Sequence, residues 1–258
     1  MNVFQEYANY YNLLYREKDY DGEAAFVREL LRRNAPQTRT LLELGCGTGR
    51  HAEYFARHGD ALYGIDLSAD MLTIAQERAA QLPADLAARL RFSAGDLRTI
   101  RLEQTFDAVI SLFHVMSYQT TNADLVKAFA TAKAHLKPGG LFLFDFWHGP
   151  AVLSEQPAVR VKRLENDEIA VVRIAEPTLK PNENVVEVHY TVFITGKANG
   201  KVKCLQETHR MRYLFLPEIQ WLCADAGLEL LEANEWMTGQ PPSTTSWGVY
   251  VIAKQPEK

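Results

Sequence analysis

Hydrophobic and polar positions along this chain fall into two regimes that meet near residue 150. In the first, short apolar runs at 41–44, 61–66, 90–94, 106–113 and 141–146 alternate with stretches of helical spacing at 23–33, 50–55, 69–78 and 122–136. Runs that are apolar throughout read as strands covered on both faces, so this half predicts a parallel sheet flanked by helices. Beyond Pro150 the alternation stops. Four β-rich stretches follow at 159–164, 169–175, 185–195 and 202–215, the third alternating through Val186, Val188, Tyr190 and Val192, with Pro177, Pro181, Gly196 and Gly200 as punctuation. A helix at 217–226 and strands at 228–236 and 247–254 then return to the first regime. The pattern predicts an α/β chain: an N-terminal helical lid over 1–36, a Rossmann-like core over 37–150, an inserted antiparallel β-sheet over 151–215, and the C-terminal part of the core over 216–258.

Composition narrows the function classes. A formal net charge of -4 with no long basic run argues against a broad nucleic-acid surface. The three cysteines, Cys46, Cys204 and Cys223, are too scattered for a zinc pattern, and reduced thiols are their simplest account, so no metal site is expected. No apolar stretch approaches the ~20 residues that span a bilayer, and the N-terminus lacks the order of a signal peptide. A soluble, cytoplasmic protein acting on a small molecule, without nucleic acid or membrane as partner, is the expectation; a homodimer is compatible with it.

The candidate chemistry begins at Glu43-Leu44-Gly45-Cys46-Gly47-Thr48-Gly49, where an apolar strand breaks into three glycines and a helix starts. Glycine lets a ligand lie against the main chain beside the positive end of the helix. A dinucleotide loop reads G-x-G-x-x-G, whereas here the spacing is G-x-G-x-G. Glu43, two residues earlier, suits an ammonium better than a pyrophosphate, so the loop points to a zwitterionic ligand. Asp66 ends the second strand about twenty residues on, where doubly wound folds bind ribose hydroxyls. Ser68 is a plausible cap for the next helix, and Leu67 and Met71 would flank an aromatic base. Ligands in open α/β sheets bind beyond the carboxyl ends of the strands, which places Ser111, His114, Ser117 and Tyr118 at the mouth of the site. Asp145, Trp147 and His148 come at the end of the fifth strand. Tyr7, Tyr11 and Tyr15 recur at helical spacing, which fits either an aromatic edge helix or a lid whose rings close over a ligand.

Glu43, Gly45, Gly47 and Gly49 resemble the first motif of the class I S-adenosylmethionine-dependent methyltransferases, E/D-x-G-x-G-x-G. The resemblance implies a seven-stranded Rossmann-like sheet with S-adenosylmethionine as cofactor and S-adenosylhomocysteine as product. It also implies that Asp96 bonds the adenine amine and that the amide of Leu97 faces the ring. Tyr11, Tyr20, Cys46 and Ser111 complete the expected cofactor set. The whole chain is similar to the sugar N-methyltransferases that dimethylate amino groups on nucleotide-linked deoxysugars. That similarity is carried by Tyr11-Asn12-Leu13, Lys18-Asp19-Tyr20, His51 after the glycines, Ser68-Ala69-Asp70-Met71-Leu72, Val186-Glu187-Val188-His189-Tyr190, and Glu207 with His209-Arg210. It implies an acceptor site drawing on Trp147, His148, Tyr190, His209, Arg210 and Trp247.

Those enzymes place a histidine where Tyr118 stands, so His114, one turn away, and Tyr118 are the catalytic candidates for orienting or deprotonating the acceptor. His148 and His209 come after them. The family also has an arginine shortly before the final strand that meets the nucleotide's phosphates, and here Ser246-Trp247-Gly248 stands there. Arg163, Arg210 and Arg212 are the candidate replacements. Three readings follow: a methyltransferase for a nucleotide-linked sugar, a methyltransferase for another small amine or amino acid, and a protein that binds the cofactor without turnover.

Overall fold

The computed structural model describes Tyr10 and residues 13–257; Tyr7 and Tyr11 of the tyrosine series lie outside the described residues. Helix α1 (Tyr20–Asn34) is started by Asp19, whose carboxylate accepts from the Gly22 amide. It buries Ala24, Val27, Leu30 and Leu31 at helical spacing. The chain then alternates as its hydrophobic pattern predicts: β1 (Thr40–Leu44), α2 (Arg50–Arg57), β2 (Ala61–Asp66), α3 (Ala69–Ala80), α4 (Ala84–Ala87), β3 (Leu90–Ala94), β4 (Phe106–Ser111), α5 (Asn122–Ala134) and β5 (Leu136–His148). The short α4 carried no periodic signal, and β4 ends at Ser111, two residues before the end of its apolar run, with a 3-10 turn following at Val115–Tyr118.

Strands β1 to β5 pair in parallel in the order β3–β2–β1–β4–β5. Strand β11 (Gly248–Lys254) adds antiparallel to β5, and β10 (Glu229–Glu235) antiparallel to β11. Successive side chains face opposite sides, which fixes two cores. Leu42, Leu44, Val109, Phe142, Phe144 and Phe146 pack on one face with α5 and α7 (Leu216–Asp225). Leu41, Ala108, Ile110, Leu141 and Leu143 pack on the other face with α1 and α2.

After α6 (Gly149–Glu155), the strands β6 (Arg160–Glu165), β7 (Ile169–Lys180), β8 (Val185–Gly196) and β9 (Val202–Leu214) form an antiparallel series. The series is hydrogen-bonded to the core. The end of β5 pairs in parallel with β9 through Trp147↔Tyr213 and His148↔Leu214, giving one eleven-stranded sheet. This junction exists because β5 continues two residues past the apolar run of 141–146, through Trp147 and His148. It brings β8 and β9 over the carboxyl ends of the parallel strands.

Candidate active site

The turn between β1 and α2 is pinned across the sheet, with the amides of Gly45 and Cys46 both donating to the Ile65 carbonyl at 2.8 and 3.0 Å. Gly45 has φ +81°, and a Cβ there would lie 2.6 Å from the Val115 side chain. Gly47 has φ +52°, and the space where its Cβ would stand is open. These two positions require glycine for different reasons: close packing at the first, bare main chain facing a cavity at the second. The cavity encloses about 530 Å3, within the range of small-molecule sites. It runs from the glycine turn to Tyr190 on β8 and to His209 and Met211 on β9.

Most of the expected cofactor set lines it: Tyr20, Gly45, Cys46, Gly47, Asp66, Leu67, Met71, Asp96 and Leu97. Ser68 caps α3 as expected, its hydroxyl accepting from the Met71 amide. Asp66 accepts from the Gly47 amide and from the Ser68 amide, each at 2.8 Å, so its carboxylate braces the turn while facing the cavity. Burial raises its pKa, against the pull of these amides. Asp96 is clamped by Arg98, with Nε and Nη2 on its two oxygens at 2.9 and 2.6 Å, and the guanidinium holds the carboxyl below the usual range. Arg98, which no sequence pattern marked, also lines the cavity and reaches Asp124 at 3.2 Å.

Glu43 does not line the cavity. It lies in the interior of β1, 1% exposed, and Nδ1 of His51 faces its Oε1 at 3.5 Å. His51 stands between that carboxylate and the cavity, and its Nε2 meets Glu23 of α1 at 3.1 Å. Burial opposes the charging of His51, but the hydrogen bonds to Glu23 and Glu43 outweigh it and raise its pKa to about 9. Burial raises the Glu43 carboxyl. This end of the cavity therefore presents cations, His51 with Arg50 beside it, where sequence reasoning placed a carboxylate. Ser111 is also displaced: fully buried, it donates to the Leu44 carbonyl at 2.9 Å and ties β4 to β1. Gly49 faces the core, where a Cβ would meet Ala75 and Phe92 at 3.1 Å. Tyr11 lies outside the described residues.

His114 and Tyr118 both line the cavity. Phe113 and His114 each adopt φ +63°, a left-handed conformation uncommon for such residues. Asp145, 1% exposed, accepts from the His114 amide at 3.1 Å and faces the ring Nδ1 at 2.6 Å. That nitrogen is off-line for a hydrogen bond, so the contact is a close approach of the carboxylate to the ring. Trp147, Tyr190 and His209 line the far wall. Tyr118 Oη lies 2.8 Å from His209 Nδ1.

His148, Arg210 and Trp247 are not in the cavity, and strand alternation explains the first two. Trp147 faces the cavity, so His148 turns to the opposite side, against a separate hollow beside Pro242 and Ser243. His209 faces in, so Arg210 faces out and pairs with Glu183. Trp247 sits one layer back, edge-on to Trp147 with centroids 5.9 Å apart, its Nε1 donating to Glu155. The replacement arginines are occupied elsewhere: Arg212 is buried, held by Thr120, Asn122 and Glu218, and Arg163 is exposed on the outer strand β6.

Residues 41–140 match the family described as a methyltransferase domain. The chain is 32% identical to dTDP-3-amino-3,4,6-trideoxy-alpha-D-glucopyranose N,N-dimethyltransferase of Streptomyces venezuelae, over 92% of this chain and 94% of the relative. Among solved structures it resembles DesVI of Streptomyces venezuelae, with a TM-score of 0.79 and 28% identity over 97% of this chain and 98% of that one. It also resembles CalS10, an amino pentose methyltransferase from Micromonospora echinaspora solved with S-adenosylmethionine, with a TM-score of 0.74 and 28% identity over 98% and 97%. With the parallel sheet, the glycine turn and a match across nearly its whole length, the chain belongs to the class I S-adenosylmethionine-dependent methyltransferases.

Proposed function

We propose that this enzyme methylates the amino group of a nucleotide-linked amino deoxysugar. The observation that carries the reading is the unbroken cavity that joins the glycine turn to the inner face of β8 and β9, with His114 and Tyr118 lining it. The relative that acts on a dTDP-linked amino sugar matches the chain along 94% of its own length, including the inserted strands. The residues present fit S-adenosylmethionine: the open space over Gly47 admits a ligand against the main chain, and the cationic end at Arg50 and His51 suits a carboxylate. Leu67 and Met71 offer apolar surface for a base, with Asp66 and Asp96 as acceptors for ribose hydroxyls and a base amine. When bound, the cofactor supplies a methyl group already activated by its sulfonium centre.

The protein's part is to orient the acceptor amine, remove its proton and keep water out. Orientation alone is worth about 7–11 kcal/mol when two reactants are held in line. His114 and Tyr118 are the groups in reach of the acceptor, to orient it or to take its proton. The N-terminal segment acts as a lid: Tyr20 packs edge-on against His51 at 5.1 Å, and Tyr15 against Phe113 at 5.1 Å. We place the enzyme in the cytoplasm, a placement compatible with the lack, among the described residues, of any helix long and apolar enough to cross a membrane.

The test is incubation with S-adenosylmethionine and dTDP-3-amino-3,6-dideoxyglucose, its free amino sugar and a set of small amines, read as S-adenosylhomocysteine release and acceptor mass. Turnover of the dTDP sugar alone is expected. A second reading, another small amine as acceptor, is favoured by the placement of Arg163, Arg210 and Arg212 away from the cavity. It predicts equal turnover of the free amine. Binding of S-adenosylhomocysteine without turnover of any acceptor would leave a binding protein. For His114→Ala, an unchanged rate and pH profile would remove that residue from the chemistry.

A further inference from the structure

Behind Tyr118 the cavity wall holds a chain of polar groups that joins it to His209 and Glu207. Tyr118 Oη is hydrogen-bonded to Nδ1 of His209 at 2.8 Å, and Nε2 of the same ring faces Oε2 of Glu207 at 3.5 Å, an electrostatic contact and not a hydrogen bond. Glu207 and His209 sit two residues apart on β9, so strand alternation turns both to the same side. Both side chains are more than nine-tenths buried, at 7% and 3% exposure. The Tyr10 hydroxyl donates to the same Oε2 at 2.9 Å, which marks Glu207 as an acceptor, and Oε1 has no hydrogen-bond partner among the described residues. Tyr190 closes the group edge-on to His209 at 5.0 Å, with Arg173 stacked on its other side at 4.8 Å.

We propose that Tyr118, His209 and Glu207 form a proton relay that discharges the acceptor ammonium, with Glu207 as the positioning residue that fixes the imidazole tautomer. The proposal rests on the reading of the acceptor as an amine. In the relay the acceptor N–H bond breaks as its proton passes to Oη of Tyr118, and the original Tyr118 proton moves to Nδ1 of His209. The tyrosine ends neutral, the amine keeps its lone pair for the methyl group, and the imidazolium that results lies 3.5 Å from the Glu207 carboxylate, whose charge offsets its own. Burial pushes the Tyr118 phenol well above its ordinary range, which keeps it a neutral hydroxyl able to donate and accept at once. His114 is paired instead with Asp145, a carboxylate that also accepts from the His114 amide. Its role in the relay scheme is to orient the acceptor, leaving the proton to His209.

Two measurements test the relay. Long-range nitrogen–proton NMR of the free enzyme reads the His209 tautomer without any substrate: the relay requires Nε2 protonated and Nδ1 bare, with the preference relaxed in Glu207→Gln. Steady-state kinetics with dTDP-3-amino-3,6-dideoxyglucose should show kcat lowered about 100-fold in Tyr118→Phe and His209→Gln, the scale of lost general acid–base catalysis. Both KM values should stay within about threefold, and Glu207→Gln should fall between. A proton on Nδ1 in the wild-type enzyme overturns the relay, as does a kcat for Tyr118→Phe within about twofold of wild type. If the wild-type enzyme ignores the sugar nucleotide, the substrate reading fails and the tautomer alone decides the relay.

Discussion

His51 ties three parts of the site together, and replacing it has a calculable cost. Its ring lies 6% exposed between Glu23 of α1 and Glu43 of β1, and its pKa stands at about 9 against an ordinary 6.5. A group whose pKa is raised on folding binds more protons in the folded chain, so its contribution is full below about pH 6.5 and lost as pH rises through about 9. At 1.36 kcal/mol per pKa unit the contribution is about 3 kcal/mol, an upper bound because the two carboxylates share the interaction. His51→Gln keeps the size and removes the charge. Urea unfolding of wild type and variant should differ by about 2–3 kcal/mol at pH 6 and converge by about pH 10. The wild-type curve should lose at most about 1.4 kcal/mol per pH unit between those limits. Added salt should change the gap little, since buried pairs are weakly screened. A difference independent of pH would show that His51 contributes packing only; a variant that gains stability at pH 6 would show that desolvating the Glu43 carboxyl outweighs its pairing.

Three further outcomes follow from the geometry. Gly47→Ala should weaken S-adenosylhomocysteine binding tenfold or more in calorimetry, since the new methyl enters the open space, and should cost about 1 kcal/mol of stability from its left-handed backbone. Asp145→Asn should lower kcat by about 10-fold to 100-fold, with KM for the cofactor unchanged, because it loosens His114 and leaves the glycine turn intact. Arg210→Ala should leave kcat and both KM values within about twofold of wild type, its guanidinium being exposed and paired on the outer face with Glu183.

The parallel strands were legible because burial on both faces makes their centres apolar, as in 108–110, and the glycine turn because its spacing leaves few alternatives. What the sequence left open is the phase of alternation where a strand leaves the core. Trp147 and His148, or His209 and Arg210, are equally polar-tolerant neighbours, and only the junction of β5 with β9 decides which member of each pair faces the cavity. Glu43 misled for a related reason. An acid before a glycine turn suggests a ligand contact, but its position inside β1 buries it, and the histidine that compensates it comes from the first turn of α2. Arg98 had no signal of its own, and Glu207, marked only by the family resemblance, gave no sign that it would face His209 and Tyr10.

The backbone at Phe113 and His114 ties these strands of argument together. Two successive non-glycine residues in the left-handed region cost roughly 1–2 kcal/mol each, and such a segment persists only where its surroundings over-determine it. Here the restraint is identifiable. Asp145 accepts from the His114 amide while its oxygen faces the ring, and Phe113 is held by the Tyr15 edge on one side and by Lys18 over its face at 4.2 Å. Lys18 and Tyr15 belong to the N-terminal segment and Asp145 to the end of β5, so the turn that aims His114 is fixed by that segment and the sheet together. The strain at Phe113 and His114 is therefore offset by contacts from two separate parts of the chain.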